Sequence, residues 1–404
     1  MKLYTAILGM AIIVSIGSSA GIYAKPDKVD GMNVPAGRIP QEIVNNRYPR
    51  TYFPGTEKLG ANEMRVTALG TGMPNQSPSN VAASFLVELG NGDSFLFDVG
   101  TGATDRLAGL EIDYSKLDKV FASHLHTDHV GDVGALWVGG WLNGRYTPLH
   151  VYGPSGSSPE LGTKVHIDHI RAAWAWDVTS RAGALPNAGG EIVAHEFDFS
   201  KTAVIYSNNG VKVTTFPAIH IRDGSVSFRL DWNGLSFVFG GDSVPNKWFA
   251  KEAKGADLVV HECFFTPEQW VRISGFPYQQ AYWVTSKIHT PPEAFGKLMS
   301  MVEPRMAVAY HYWNHRDIEL EIFEGVRRTY DGPLTMADDL TVMNVTPDHI
   351  EVREVTFNHE SWPQGTSVEW DTAPRGEPAT SLMSEWLKAG ELEGMVPPPK
   401  QPLD

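Results

Sequence analysis

The stretch "SHLHTDHVGD", residues 123–132, packs three histidines and two aspartates into ten positions, directly after the apolar run Val120-Phe121-Ala122. A solvated loop explains charge but not imidazoles at every second or third place. His124 and His126 lie two apart, so in extended geometry they point the same way, and Asp128 and His129 continue around the turn. The same arrangement recurs along the chain. The apolar run "LDKVFAS" ends at His124, "VKVTTFPAI" at His220, "LSFVFGG" at Asp242 and "RMAVAY" at His311. Strands that each deliver an imidazole or carboxylate just past their last apolar residue bring those groups to one edge of a sheet. Burying them uncompensated costs a few kcal/mol each, and a metal removes that penalty. Neutral imidazoles with carboxylates suit zinc, and more donors than one tetrahedral ion can use point to two metals. Mn2+ and Fe2+ fit the same donors less selectively.

The bulk properties frame this chemistry. At 404 residues, 42% hydrophobic and 20% charged, the chain has the composition of a globular protein with a large core. A net charge of −14 argues against a nucleic-acid partner, whose affinity comes mainly from Lys and Arg neutralising phosphates. Lys2, the apolar stretch Ala6 to Ile16 and the small residues up to Ala24 read as an export signal, although Ile22 is large for its place. The expected compartment is periplasmic or secreted, and the mature form has no membrane span. Gly17-Ser18-Ser19 interrupts well before the ~20 apolar residues that a span requires. The sole cysteine, Cys263, excludes an intramolecular disulfide and reads as core.

Residues 25–60 read as an N-terminal arm, 61–358 as one domain with insertions near 164–200 and 265–288, and 359–404 as a Pro-rich tail. Short β runs such as "MRVTALGTG", "AASFLVELG" and "DSFLFDVG" alternate with helical stretches such as "TPPEAFGKLMSMV". The expected architecture is α+β, a four-layer αββα sandwich.

His-x-His-x-Asp-His followed by a distant His, an Asp after Gly-Gly and a final His resembles the metallo-β-lactamase fold superfamily over residues 62–355. Within it, "TALGTGMPN", "LFDVGTG", "GGDSVPN", "ADLVVHECFF" and "IHTPPEAF" resemble the branch holding ribonuclease Z and related arylsulfatases. A looser likeness, to exported metallo-hydrolases of guanitoxin-type biosynthesis clusters, names no reaction. The resemblance implies that His124, His126 and His220 bind one zinc, that Asp128, His129 and His311 bind a second, and that Asp242 bridges them. It implies that Asp98 orients the ligand loop by hydrogen bonds. Asp128 would help orient an attacking hydroxide held between the metals, and His289 would face the leaving group. "IHTP" replaces the branch's usual His-Ser-Thr, and the branch's helical arm for tRNA is not recognisable; segment 164–200 takes its place.

The resulting expectation is a di-zinc hydrolase of a small ester, a phosphodiester or aryl sulfate ester. The alternatives are a lactonase or other carboxyl-ester hydrolase and, from another class, a non-catalytic metal-binding module. Trp174, Trp176, Trp270, Tyr282 and Trp283 are candidates for an apolar substrate pocket, and a homodimer is the expected assembly. Glu262 admits a structural reading, paired within the sheet. His150, His166, His169, His195, His349 and His359 read as structural or solvated, and His315, beside "YWN", as a surface residue or one that supports a metal ligand.

Overall fold

The computed structural model describes residues 27–29, 32–34, 50–75, 77–356, 383–392 and 394–395. The export segment and most of the Pro-rich tail lie outside the described residues. The chain divides into two compact units, Met1–Arg50 and Thr51–Asp404. In the first, β1 (Asp27–Val29) pairs antiparallel with β2 (Met32–Val34). The second contains two large sheets. No described helix is long and apolar enough to cross a membrane.

The first large sheet has the order β3-β18-β17-β4-β5-β6-β7-β8-β9. Its strands are β3 (Thr51–Tyr52), β4 (Met64–Gly70), β5 (Ser84–Leu89), β6 (Ser94–Phe97), β7 (Lys119–Phe121), β8 (Leu149–Pro154), β9 (Ile192–Phe197), β17 (Thr341–Val345) and β18 (Ile350–Val355). The second has the order β10-β11-β12-β13-β14-β15-β16. It comprises β10 (Ala203–Asn208), β11 (Val211–Pro217), β12 (Val226–Trp232), β13 (Leu235–Phe239), β14 (Leu258–Glu262), β15 (Met306–Tyr310) and β16 (Leu334–Met336). Two boundaries differ from the sequence reading. The arm expected over 25–60 gives its last residues to the main unit, where β3 pairs with β18. The insertion expected near 164–200 ends in β9, which extends the sheet beside β8.

A period of two explains how the layers assemble. Phe85, Val87, Phe95, Phe97 and Phe121 face the second sheet, where they meet Phe228, Phe237, Phe239, Val260 and Tyr310 in one core. The alternate residues, Leu86, Leu96 and Val120, face outward and pack under the helices Ala103–Ala108, Val133–Leu142 and Thr163–Ala173. On the far side Val238, Val259, Ala307 and Ala309 pack under Lys247–Glu252, Pro292–Val302 and Arg316–Arg327. Strands covered on both faces read as nearly continuous apolar runs, which is why "LSFVF" and "LVV" lack alternation. The expected αββα sandwich is the observed one. The "WNG" hairpin forms too, with Asn233 and Gly234 both at positive φ between β12 and β13.

Topology then fixes where chemistry can occur. β6, β7, β8 and β9 run parallel, as do β13, β14, β15 and β16. Their C-terminal ends share an edge, where the connecting loops are free to carry functional groups. One glycine there is dictated by contact. A Cβ on Gly100 would lie 2.1 Å from the carbonyl oxygen of Asp128. Gly100→Ala is therefore expected to destabilise the protein by about 1–3 kcal/mol in chemical denaturation. Gly139→Ala, a helix position with nothing within 4 Å, serves as the control and should be neutral or stabilising.

Candidate metal centre

One side chain of the site follows each of several strand ends by one to three residues, and His126, Asp128 and His129 continue along the loop after β7. Asp98 follows β6, His124 follows β7 through Ala122-Ser123, Asp242 follows β13 through Gly240-Gly241, and His311 follows β15 directly. Asp98 and His311 have φ of 56° and 76°, a left-handed conformation that non-glycine residues hold only when their surroundings enforce it. For His311, the backbone N–H donates to the Thr71 carbonyl at 2.8 Å. Gly241, at φ 59°, leaves no room for a Cβ, which would meet that of Ser123 at 2.6 Å. That contact lets the two sheets' loops touch.

The seven expected ligands come together in two groups. In the first, His124 Nε2 lies 3.0 Å from His126 Nδ1, which lies 3.4 Å from His220 Nε2. Asp242 Oδ2 is 3.9 and 3.8 Å from the His124 and His220 nitrogens. In the second, His129 Nε2 is 3.4 Å from Asp128 Oδ2 and 3.3 Å from Asp242 Oδ1. His311 Nε2 is 3.3 Å from both of those oxygens. Donors held about 2.1 Å from a tetrahedral ion lie about 3.4 Å from one another, so both groups fit divalent metal. His129 Nε2 and Asp242 Oδ1 are buried and make no hydrogen bond, as donors reserved for an ion would be.

The far sides of the rings are held in place. Asp98 accepts from Ser123 N and Ser123 Oγ, both at 2.7 Å, and from His129 Nδ1 at 2.6 Å. A carboxylate only accepts, so the His129 proton is on Nδ1 and the Nε2 lone pair faces the other donors. Ser123 Oγ, having donated to Asp98, accepts from His124 Nδ1 at 3.0 Å. His220 Nδ1 donates to the Ile288 carbonyl at 3.1 Å. The electrostatics are those of a site built around positive charge. Burial would raise Asp242, but His311 and His129 hold its carboxyl well below the usual range. Burial likewise opposes ionisation of Asp128, and His129 and His311 outweigh it. Burial lowers His220 to about 4, which favours the neutral, metal-binding imidazole.

Known proteins give the same picture. The family described as beta-lactamase superfamily domain matches residues 93–312. The chain belongs to that superfamily. A ribonuclease Z of Mycobacterium marinum is 30% identical over 204 residues, covering 49% of this chain and 70% of that protein. A ribonuclease Z of a Mycobacterium species is 30% identical over 221 residues, covering 52% and 74%. The crystal structure of the metallo-beta-lactamase fold protein YhfI from Bacillus subtilis superposes with a TM-score of 0.53 at 19% identity. It covers 70% of this chain and 100% of that one, and shows the shared fold. The superfamily member described here is thus a metal-dependent hydrolase of the ribonuclease Z-like branch.

Beside its donors the hydrolase places a further pair. His289 Nδ1 lies 2.7 Å from Glu262 Oε2, and Glu262 Oε1 accepts from Ser243 N at 2.6 Å. Burial and the nearby Asp242 push the Glu262 carboxyl well above its usual range, while burial lowers His289. The Phe264 ring stacks on His289 at 4.2 Å. Glu262 therefore faces the site instead of pairing only within its sheet. The sequence signal was its place at the end of β14, level with the other strand-end donors.

The aromatic pocket expected from the two elaborations is not the cavity that adjoins the donors. That cavity, of about 300 Å³, has His124, His126 and His220 on one side, and none of the five aromatics lines it. Trp174 presses its indole against Gly134 in the outer core under the helices. Trp270 packs among Phe264, Phe265 and Trp313, so it supports the site one layer behind His289. Trp176, Tyr282 and Trp283 are exposed to solvent. Conversely His166 and His169, read as structural or solvated, line the cavity from the helix Thr163–Ala173. His150 and His195 contact each other at 2.9 Å on neighbouring strands. His359 lies outside the described residues.

Asp98→Ala should weaken zinc affinity about 10–100-fold in competition with a chromogenic chelator, because His129 loses the acceptor that sets its tautomer. Removing metal from the wild-type protein should lower its Tm, and added Zn2+ should restore it in proportion to the logarithm of free metal.

Proposed function

We propose that the protein is a di-zinc hydrolase of a small phosphodiester, with an aryl sulfate ester as the related substrate. The observation that carries this reading is the double use of Asp242. One of its oxygens faces each donor group, which is the arrangement a pair of ions sharing a carboxylate requires. Hydrolysis of ester bonds, phosphodiesters among them, is the chemistry of the branch, and its named relatives are ribonucleases. The size and charge of the chain's own surroundings favour a small substrate over RNA, given the net charge of −14 and the 300 Å³ cavity. An exported location, from the reading of residues 1–24, belongs to the same proposal.

Bound ions would supply Lewis acidity and a water that ionises near neutral pH. The chain's residues do the rest. Asp128 Oδ1 is buried without a hydrogen-bond partner, an acceptor available to orient an attacking water. Glu262, kept protonated, donates to His289 Nδ1 and so leaves the proton of His289 on Nε2. That proton passes to the departing oxygen, and Nδ1 takes the Glu262 proton in return. The carboxyl-ester alternative uses the same groups on a carbonyl carbon.

A panel of bis-p-nitrophenyl phosphate, p-nitrophenyl sulfate, an aryl lactone and single-stranded RNA decides among the readings. Turnover of the phosphate diester is expected. Turnover of the lactone alone moves the assignment to a carboxyl-ester hydrolase, and of the RNA alone to a nuclease. No turnover with zinc bound supports a non-catalytic module. His289→Ala is expected to lower kcat about 10²–10⁴-fold while zinc content is retained.

A further inference from the structure

The cavity beside the donors has walls of a particular kind. It lies between two loops, Ser155–Gly162 after β8 and Ala218–Ser225 after β11, and the second of these carries His220 itself. Leu161 stands on one loop and Ile221 on the other, and Leu125 from the "HLH" motif contributes between them. Leu161 is 41% exposed and Ile221 49% exposed. Aliphatic side chains left half in water on both sides of one cavity are not explained by packing, since neither belongs to the hydrophobic cores.

The rim carries charge of the wrong sign for a polyphosphate. Glu160 and Asp223 supply two carboxylates against the single guanidinium of Arg222. None of the three forms an ion pair among the described residues, so their charges are not spent elsewhere. At the rim, away from the donors, an anionic arm would meet two carboxylates against one guanidinium, whereas an uncharged arm would bury Leu161 and Ile221. The loops are also shaped for the cavity. At Gly224 the φ of 120° disfavours any side chain, and at Gly162 a Cβ would lie 2.3 Å from Glu196 Oε2. A cavity of about 300 Å³ is at the small end of ligand sites and takes a single ring with its linker.

We propose that this cavity holds the non-reacting arm of the ester, and that Leu161 and Ile221 are specificity-determining residues selecting an uncharged, apolar arm of about one ring. This rests on the hydrolase reading above and narrows its substrate class to diesters with one aryl arm or a cyclic arm of similar size.

The test compares phenyl p-nitrophenyl phosphate with methyl p-nitrophenyl phosphate, which share a scissile bond and differ only in the retained arm. Zinc-loaded full-length protein should prefer the phenyl arm in kcat/KM by at least tenfold. Leu161→Ser and Ile221→Ser should each reduce that ratio about tenfold, while Ile221→Leu retains it. Both positions are half exposed, and zinc content with Tm verifies that the variants fold. A wild-type ratio near one, or a ratio unmoved in the double variant, overturns the assignment. If neither diester is hydrolysed, the phosphodiesterase reading fails separately. The arm preference is then read by calorimetry with phenylphosphonate against methylphosphonate, where equal affinities in the zinc-loaded wild type overturn it.

Discussion

The carboxylate of Asp242 is buried with one oxygen toward His124 and His220 and the other toward His129 and His311. A buried carboxylate with imidazole nitrogens on both sides is stable only if positive charge lies on both sides as well. Protonated imidazoles meet that need on one side only: against burial, Asp242, Asp128 and Asp98 hold His129 well above the usual imidazole range, whereas burial drives His124 and His220 toward neutrality. Divalent metal would meet it, and the neighbouring groups are arranged to suit. The far nitrogens of His129, His124 and His220 are each tied to an oxygen. Glu262, next in line from Asp242, is pushed toward its protonated form and becomes a partner for His289.

The same constraint links site and fold. Both donor groups mix the two sheets. His124, His126, Asp128 and His129 come from the first sheet, and His220, Asp242 and His311 from the second. The sheets meet behind them through stacked and edge-on rings, with Phe97 5.0 Å from Phe237 and Phe85 5.1 Å from Tyr310. That core sets the spacing between the loops, and the loops set donor distances of 3.0–3.9 Å. A shift of the sandwich would be felt at the donors, and metal bound across the edge would fasten the sandwich in return.

Much of this was legible in the sequence because two signals are local. Apolar runs ending in a single His or Asp marked strand ends, and the spacing of His124, His126, Asp128 and His129 marked donors on one loop. The aromatics misled for a physical reason. Tryptophan and tyrosine have the same composition signature whether they pack a helix, as Trp174 does on Gly134, or line a pocket. Leu161, Ile221 and His166 were passed over because an exposed leucine or a lone histidine is ordinary until its neighbours are known.

The sequence by itself determined the layered α+β class, the strand-end donors and hence the metal chemistry. These depend on periodicity two and on residues close in the chain. The tertiary structure alone decided that Glu262 turns to His289, that Trp270 supports the site from behind, and that the loops 155–162 and 218–225 enclose one cavity. Those facts arise from the packing of two sheets and the loops between them, which joins residues distant in the chain and leaves no periodic trace in it.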